Sequence, residues 1–296
     1  MYKELNGVVA SKHIKQELLE QVKELVNQGH RPPHLAAILV GEDGASQTYV
    51  KMKQKACAAV GFESTLIRYE NTLTEDELVK KIEELNEDEQ IDGILVQLPL
   101  PKQIDENTIT ETISPAKDVD GFHNYNVGML AKGKPGFVSA TPLGVTKMIE
   151  FYGLETSGKH CVIIGRSNIV GRPMSLLMSM NAPYGNSTVT LCHSRTKDIG
   201  EFCRMADILI VALGSPGFVT EDMVKEGAIV IDVGITRVDT TENEKGYVLK
   251  GDVDFDNVAE KTSAITPVPK GVGPMTIVGL LENTLKAYKQ NHNISI

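Results

Sequence analysis

Short apolar runs, punctuated by glycine and separated by amphipathic stretches, set the pattern of this chain. In its second half the runs are Cys161–Ile164, Thr188–Cys192, Ile208–Ala212 and Ile229–Asp232. They are rich in β-branched residues, and the segments between them are compatible with helix, which predicts parallel βαβ units and a doubly wound sheet. The first run ends in Gly165; after a polar turn, Gly171 stands before Pro173 and the apolar residues Met174, Leu176, Leu177 and Met178. This reads as strand, tight turn and helix. Such a turn leaves backbone N–H groups and a helix N-terminus at the carboxyl end of a parallel strand, where a pyrophosphate binds favourably. The turn is not the G-x-G-x-x-G fingerprint, because Ser167 stands two places after Gly165.

The first half alternates in the same way. Ile14, Leu18, Leu19, Val22, Leu25 and Val26 recur at helical spacing and predict a helix over Ser11–Gln28, with Ser11 as N-cap and Gly29 as the stop. A strand over Leu35–Val40, a helix over Ala45–Val60 and a strand over Glu63–Arg68 follow. Thr74 then opens a helix to about Asn86, with Glu77 completing a capping box. A strand over Gly93–Val96 delivers Gln97 at its carboxyl end, where Pro99 and Pro101 prohibit further ladder pairing. Thr141 and Pro142 predict the N-cap and first position of a helix running through Tyr152, and Pro274 begins a last helix through Tyr288. The polar stretch 239–246 is expected to be a surface hairpin or loop.

Length and composition narrow the class. With 296 residues the chain exceeds a typical single core, so two domains are expected. A formal charge of −9 argues against a general nucleic-acid surface or an anionic membrane as partner. Cys57, Cys161, Cys192 and Cys203 form no C-x-x-C pair, and two of them sit in strand runs, as expected for buried reduced thiols. The start lacks the apolar segment of a signal peptide, and no apolar run approaches about 18 residues, so a soluble, cytoplasmic protein is expected. There is no H-E-x-x-H, and Arg31-Pro32-Pro33 keeps His30 and His34 off a shared helical face. No metal site is expected.

Candidate chemistry falls into two groups. After the second strand of the nucleotide-type half, where an acid would hydrogen-bond a ribose 2′-OH, the chain has His193-Ser194-Arg195-Thr196. Arg166, Ser167, Ser194 and Arg195 offer donors and positive charge that suit a 2′-phosphate, and so favour NADP over NAD. In the first half, Tyr49 and Lys53 lie four apart on one helix face, with Lys51 and Lys55 elsewhere around it. By residue type alone Lys53 reads as a solvated helix lysine, Gln97 as either a loop surface group or a pocket residue at a strand end, and Asp118-Val119-Asp120-Gly121 as a turn device.

The motifs in combination resemble the bifunctional methylenetetrahydrofolate dehydrogenase/methenyltetrahydrofolate cyclohydrolase family. The resemblance is carried by Ala45-Ser46-x-x-Tyr49-Val50-x-x-Lys53, Gln97-Leu98-Pro99-Leu100-Pro101 and Asp118-Val119-Asp120-Gly121-Phe122-His123. It continues through Thr141-Pro142-Leu143-Gly144, Gly165-Arg166-Ser167-x-x-Val170-Gly171 and Pro267-Val268-Pro269-Lys270-Gly271-Val272-Gly273-Pro274-Met275-Thr276. It implies an N-terminal α/β catalytic domain over 1–140 and a Rossmann-like NADP-binding domain over 141–273. By the same resemblance a folate cleft would lie between them, and a helix over about 274–296 would return to the first domain. It further implies Lys53 as the acid/base group of the cyclohydrolase step, Tyr49 stacking on the folate, Gln97 bonded to Lys53, and Asp120 holding the pterin. Gly165, Arg166, Ser167, Ser194 and Ile235 would line the cofactor site, Pro269 and Gly273 would contact substrate, and the protein would be a homodimer. Another two-domain oxidoreductase acting on a small acid, or a single-activity member of the family, are the competing readings. Three departures from the family pattern stand out: Lys270 for glycine, Asn124 for proline, and Ser139-Ala140 for Pro-Cys. If the turn at 270 needs a positive φ, lysine there costs about 1 kcal/mol.

Overall fold

The computed structural model describes residues 2–134, 136–241 and 246–294. In chain order the elements are β1 (Lys3–Glu4), α1 (Gly7–Asn27), β2 (His34–Val40), α2 (Gly44–Ala59), β3 (Glu63–Tyr69), α3 (Glu75–Glu87) and β4 (Gly93–Val96). The helices α4 (Glu106–Thr112), α5 (Asn124–Ala131) and α6 (Ala140–Tyr152) follow. Then come β5 (His160–Ile164), α7 (Gly171–Ser179), β6 (Thr188–Cys192), α8 (Ile199–Met205), β7 (Ile208–Val211) and β8 (Ile229–Asp232). The chain closes with β9 (Thr236–Asp239), β10 (Tyr247–Lys250), α9 (Phe255–Val258), β11 (Ala264–Ile265) and α10 (Val272–Asn291). Two compact units divide them: Met1–Ser11 with Thr141–Thr276, and Lys12–Ala140 with Ile277–Ile296.

The first unit is built on a parallel sheet of order β1-β11-β8-β7-β5-β6. Along β5 and β7 alternate residues point to the same side, so Val162, Ile164, Leu209 and Val211 enter one core cluster with Val230 and Ile265. Helices α7 and α8 pack against β5 and β6. Because β6 lies on one side of β5 and β7 on the other, the connections diverge at β5, the place where ligands bind open α/β sheets. The two-residue strand β1 was not marked by any periodicity; it joins the edge by pairing Lys3 with Ala264 and Glu4 with Ile265. Strands β9 and β10 pair antiparallel, as expected for the polar stretch between them, whose tip at 242–245 lies outside the described residues.

The second unit holds a three-stranded parallel sheet, β3-β2-β4, with Ala36, Ile38 and Val40 of β2 and Ile94 and Val96 of β4 in its core. Leu78, Ile82 and Leu85 of α3 bury there, each contributing about 1.5–3 kcal/mol. The predicted capping box is present: Thr74 Oγ1 accepts from Glu77 N–H, and Glu77 Oε2 accepts from Thr74 N–H at 2.9 Å.

Three helix starts differ from expectation. Helix α1 begins at Gly7 rather than Ser11, because Asn6 Oδ1 accepts the N–H groups of Val8 and Val9 at 3.0 and 3.3 Å, satisfying donors that a helix start leaves open. Helix α6 begins at Ala140, so Thr141 lies inside it, and its hydroxyl bonds instead to the Thr276 hydroxyl at 3.0 Å. Helix α10 begins at Val272, which leaves Pro274 in the first turn, where its missing N–H has no intrahelical acceptor to lose.

Candidate active site

In the second unit, helix α2 is started by Asp43, whose carboxylate accepts from Ser46 N–H at 2.7 Å. Of its lysines, Lys51 and Lys55 are exposed, but Lys53 retains only 8% exposure. Its Nζ donates to Gln97 Oε1 at 3.0 Å. Gln97 is fixed in turn: its N–H donates to Ile38 O at 2.9 Å and its Nε2 to Leu98 O at 2.7 Å, which aims the amide oxygen at the lysine. Burial holds the Lys53 ammonium below the usual lysine range, opposed by the negative charge of Asp120 and by Cys57. A neutral amide partner satisfies the amine without holding its proton as a carboxylate would. Tyr49, one turn earlier on α2, is half-buried.

Asp120 is delivered by the segment beside β4, where Ile94 N–H donates to Lys117 O and Ile94 bridges Asp118. Burial pushes its carboxyl up to about 6, against the pull of Lys53 and assisted by the charge of Asp118. Residue types alone placed Asp118 and Asp120 in one turn motif, and only the family resemblance set Asp120 apart; in the fold their surroundings differ. Asp118, fully buried, accepts from the N–H groups of Gly121, Phe122 and His123 and from Asn126 Nδ2. It is the turn device, and it holds the loop that presents Asp120. No local pattern flagged Asn126, whose contribution depends on a contact formed only in the fold.

In the first unit, the predicted turn after β5 is in place. Gly165 has φ +114°, and a Cβ there would lie 2.2 Å from Ala212 O at the end of β7. A Cβ on Gly171 would lie 1.9 Å from Gly165 O. Both positions are therefore restricted to glycine, and the backbone of the turn packs closely onto its neighbours. Ser167 Oγ accepts from Val170 and Gly171 N–H at 3.2 and 3.4 Å, capping the entry to α7. Gly165 N–H donates to Cys192 O, which sets the turn holding Ser194 and Arg195 beside it. Arg166, Ser167, Ser194 and Arg195 are all exposed there. Ile235, after β8, leaves an apolar side chain 46% exposed. Pro269 and Gly273 flank the turn into α10, where a Cβ on Gly273 would meet nothing.

The departure at Lys270 has its expected backbone consequence: φ is +87°, a region that favours glycine. All four cysteines are buried and free. Among the described residues, no helix is long and apolar enough to cross a membrane, and no cluster of three or more His, Cys, Asp or Glu could hold a metal.

Comparison with known proteins bears on both sites. The tetrahydrofolate dehydrogenase/cyclohydrolase catalytic domain matches residues 5–120, and the NAD(P)-binding domain of the same family matches residues 139–292. The bifunctional protein FolD of Bacteroides fragilis is 57% identical over 286 residues, covering 97% of this chain and 98% of that protein. The crystal structure of the bifunctional FolD methylenetetrahydrofolate dehydrogenase/cyclohydrolase from Campylobacter jejuni superposes with a TM-score of 0.92 at 48% identity, covering 98% of this chain and 99% of that one. The Trypanosoma brucei dehydrogenase-cyclohydrolase, solved with NADP and an inhibitor, also gives 0.92, at 38% identity and 98% coverage of each chain. With both domain matches in order along nearly its whole length, the chain belongs to the tetrahydrofolate dehydrogenase/cyclohydrolase family.

Proposed function

We propose that this protein oxidises 5,10-methylenetetrahydrofolate to 5,10-methenyltetrahydrofolate with NADP and hydrolyses that product to 10-formyltetrahydrofolate. The observation that carries the reading is Lys53: a buried amine, lowered in pKa by desolvation, hydrogen-bonded to a neutral amide at 3.0 Å. In the hydrolytic step water adds to the methenyl carbon while Lys53 takes its proton. The tetrahedral adduct then opens at its bond to N5: Lys53 returns the proton to that nitrogen, and the adduct's hydroxyl proton leaves to solvent as the formyl C=O forms, so that one proton is released per turnover. An amine serves both halves only if its pKa lies near the working pH, which burial favours and the approach of a cationic substrate favours further. Gln97 orients the amine, Tyr49 stacks on the folate, and Asp120 holds the pterin.

The dinucleotide reading rests on the turn after β5, where the close approach of Gly165 to Ala212 and of Gly171 to Gly165, which no Cβ would allow, brings the N-terminus of α7 beside the strand end, the arrangement that suits a pyrophosphate. NADP supplies the hydride acceptor when bound. Gly165, Arg166 and Ser167 would receive its phosphates, Ser194 the 2′-phosphate with Arg195 alongside, and Ile235 the nicotinamide face. Loss of hydride leaves a resonance-stabilised cation, so this step asks of the protein only orientation and exclusion of water. Pro269 and Gly273 would border the substrate. The assignment of folate chemistry to residues 1–140 with the final helix and of the cofactor to 141–273, and the homodimer, are what the family resemblance implies; the cytoplasm is the proposed location.

One progress curve tests the whole reading. With methylenetetrahydrofolate and NADP, wild type should form NADPH without accumulating methenyl product. Lys53→Met should lose hydrolysis by about 10²–10⁴-fold and accumulate whatever methenyl product it makes. Retained hydrolysis in Lys53→Met removes the role given to Lys53; absence of NADPH from wild type removes the dehydrogenase.

A further inference from the structure

Two carboxylates lie inside the sheet edge behind the turn after β5, and neither belongs to the constellation above. Asp232 closes β8 and is 2% exposed; Asp252 follows β10 and is 0% exposed. Asp252 takes three consecutive backbone donors from the loop after β7: Leu213 N–H at 2.6 Å and Gly214 N–H at 3.0 Å on Oδ2, and Ser215 N–H at 2.6 Å on Oδ1. Asp232 takes Gly234 N–H at 2.9 Å and Asp252 N–H at 3.1 Å on Oδ1, and Val253 N–H at 2.9 Å on Oδ2. The two acids are nested reciprocally on glycines. A Cβ on Gly234 would lie 2.2 Å from the Asp252 carboxyl carbon, and a Cβ on Gly251 would lie 2.0 Å from Asp232 Oδ2.

The loops so fixed are those that border the dinucleotide turn. Ala212, immediately before the loop that Asp252 gathers, is the residue whose carbonyl Gly165 abuts, and Ile235 follows the glycine packed on the Asp252 carboxyl group. Three successive N–H groups converging at the carboxyl end of a parallel strand form an anion nest. Here the protein fills that nest with its own carboxylate. The negative potential of Asp252 is thereby neutralised by backbone dipoles, and the nest is closed to phosphate, so the turn at Gly165 remains the place for a pyrophosphate.

We propose that Asp252 is the positioning residue of the dinucleotide site, acting through the 213–215 loop and through Gly234 to set the surfaces on which the cofactor lies. The inference rests on the dinucleotide reading above and adds to it a residue that touches no ligand. Removing the charge turns three satisfied donors into a loop with one acceptor at most, since the amide of asparagine would present its own N–H groups to them.

The experiment measures NADP binding by calorimetric titration and the KM for each substrate on wild type and Asp252→Asn, with thermal melts to establish folding. Asp252→Asn should bind NADP at least tenfold more weakly and raise its KM to match, while the KM for methylenetetrahydrofolate stays within twofold. Equal NADP affinity in a cooperatively melting variant overturns the proposal, as does a rise in both KM values by similar factors, which marks a general loss of structure. Amide exchange on cofactor-free wild type keeps the test independent of the variant. Leu213, Gly214 and Ser215 should exchange as slowly as the residues of β7, and fast exchange at all three overturns the proposal even if the variant does not fold. Wild type that binds neither NADP nor NAD would instead overturn the dinucleotide reading itself.

Discussion

In the function proposed above, one unit carries its chemistry on a side chain and the other on its backbone. Lys53 stands mid-helix and buried, its amine lowered in pKa by desolvation and bonded to the amide of Gln97. The turn at Gly165 contributes no titrating group; it contributes shape, through glycines that let three segments of backbone approach within a Cβ radius of one another. The difference matches the demands of the two half-reactions. Hydrolysis needs a proton moved and therefore a group whose pKa is tuned, whereas hydride transfer to a bound dinucleotide needs a held geometry. It also predicts that the two functions fail in different ways.

The largest effect expected from the backbone side is that of Gly165→Ala. The new methyl group meets Ala212 O and forces a positive-φ position onto alanine, so NADP affinity should fall by more than about a hundredfold, read by titration. Hydrolysis of supplied methenyltetrahydrofolate by the same variant is the contrast; parallel loss of both activities would erase the division of labour. On the side-chain side, Gln97→Glu sharpens it. A carboxylate in place of an amide 3.0 Å from Nζ stabilises the ammonium form, so the Lys53 pKa rises. A base works only when deprotonated, so the rising limb of the hydrolytic pH profile should move to higher pH by about 1–3 units, each unit costing about tenfold below the limb. An unmoved limb would mean that Lys53 is not the group being titrated. The smallest effect lies at the turn before α10. Lys270→Gly relieves a left-handed lysine and should raise stability by about 1 kcal/mol in denaturant unfolding, with both activities read alongside.

The same contrast decides what could be read from the sequence. The strands β5 to β8 were legible because each is an apolar run bounded by turn residues, and the capping box at Thr74 was legible because both partners lie within one turn. β1 and β11 were not, since two residues apiece are too short to show a period. The glycine turn was recognisable as strand, turn and helix, but the reason Gly165 must be glycine lies in Ala212, on another strand. Lys53 by composition was one lysine among several on α2. Only the family resemblance singled it out, and what distinguishes it physically is a partner 44 positions away. Asp118 and Asp252 show the limit most clearly: each gathers three backbone N–H groups, and nothing local to the sequence says which aspartate will find them.

Neither unit is a continuous stretch of chain. One needs residues 1–11 together with 141–276, and the other needs 12–140 together with 277–296. During synthesis, where domains generally fold as units from the N-terminus onward, this ordering has an unusual effect. The edge strand β1 waits for β11 before it has a partner, and the sheet of β2, β3 and β4 is made well before buried Tyr288 of α10. Each half therefore waits for residues made long after its first strand, and a chain cut short before Thr276 contains neither unit whole.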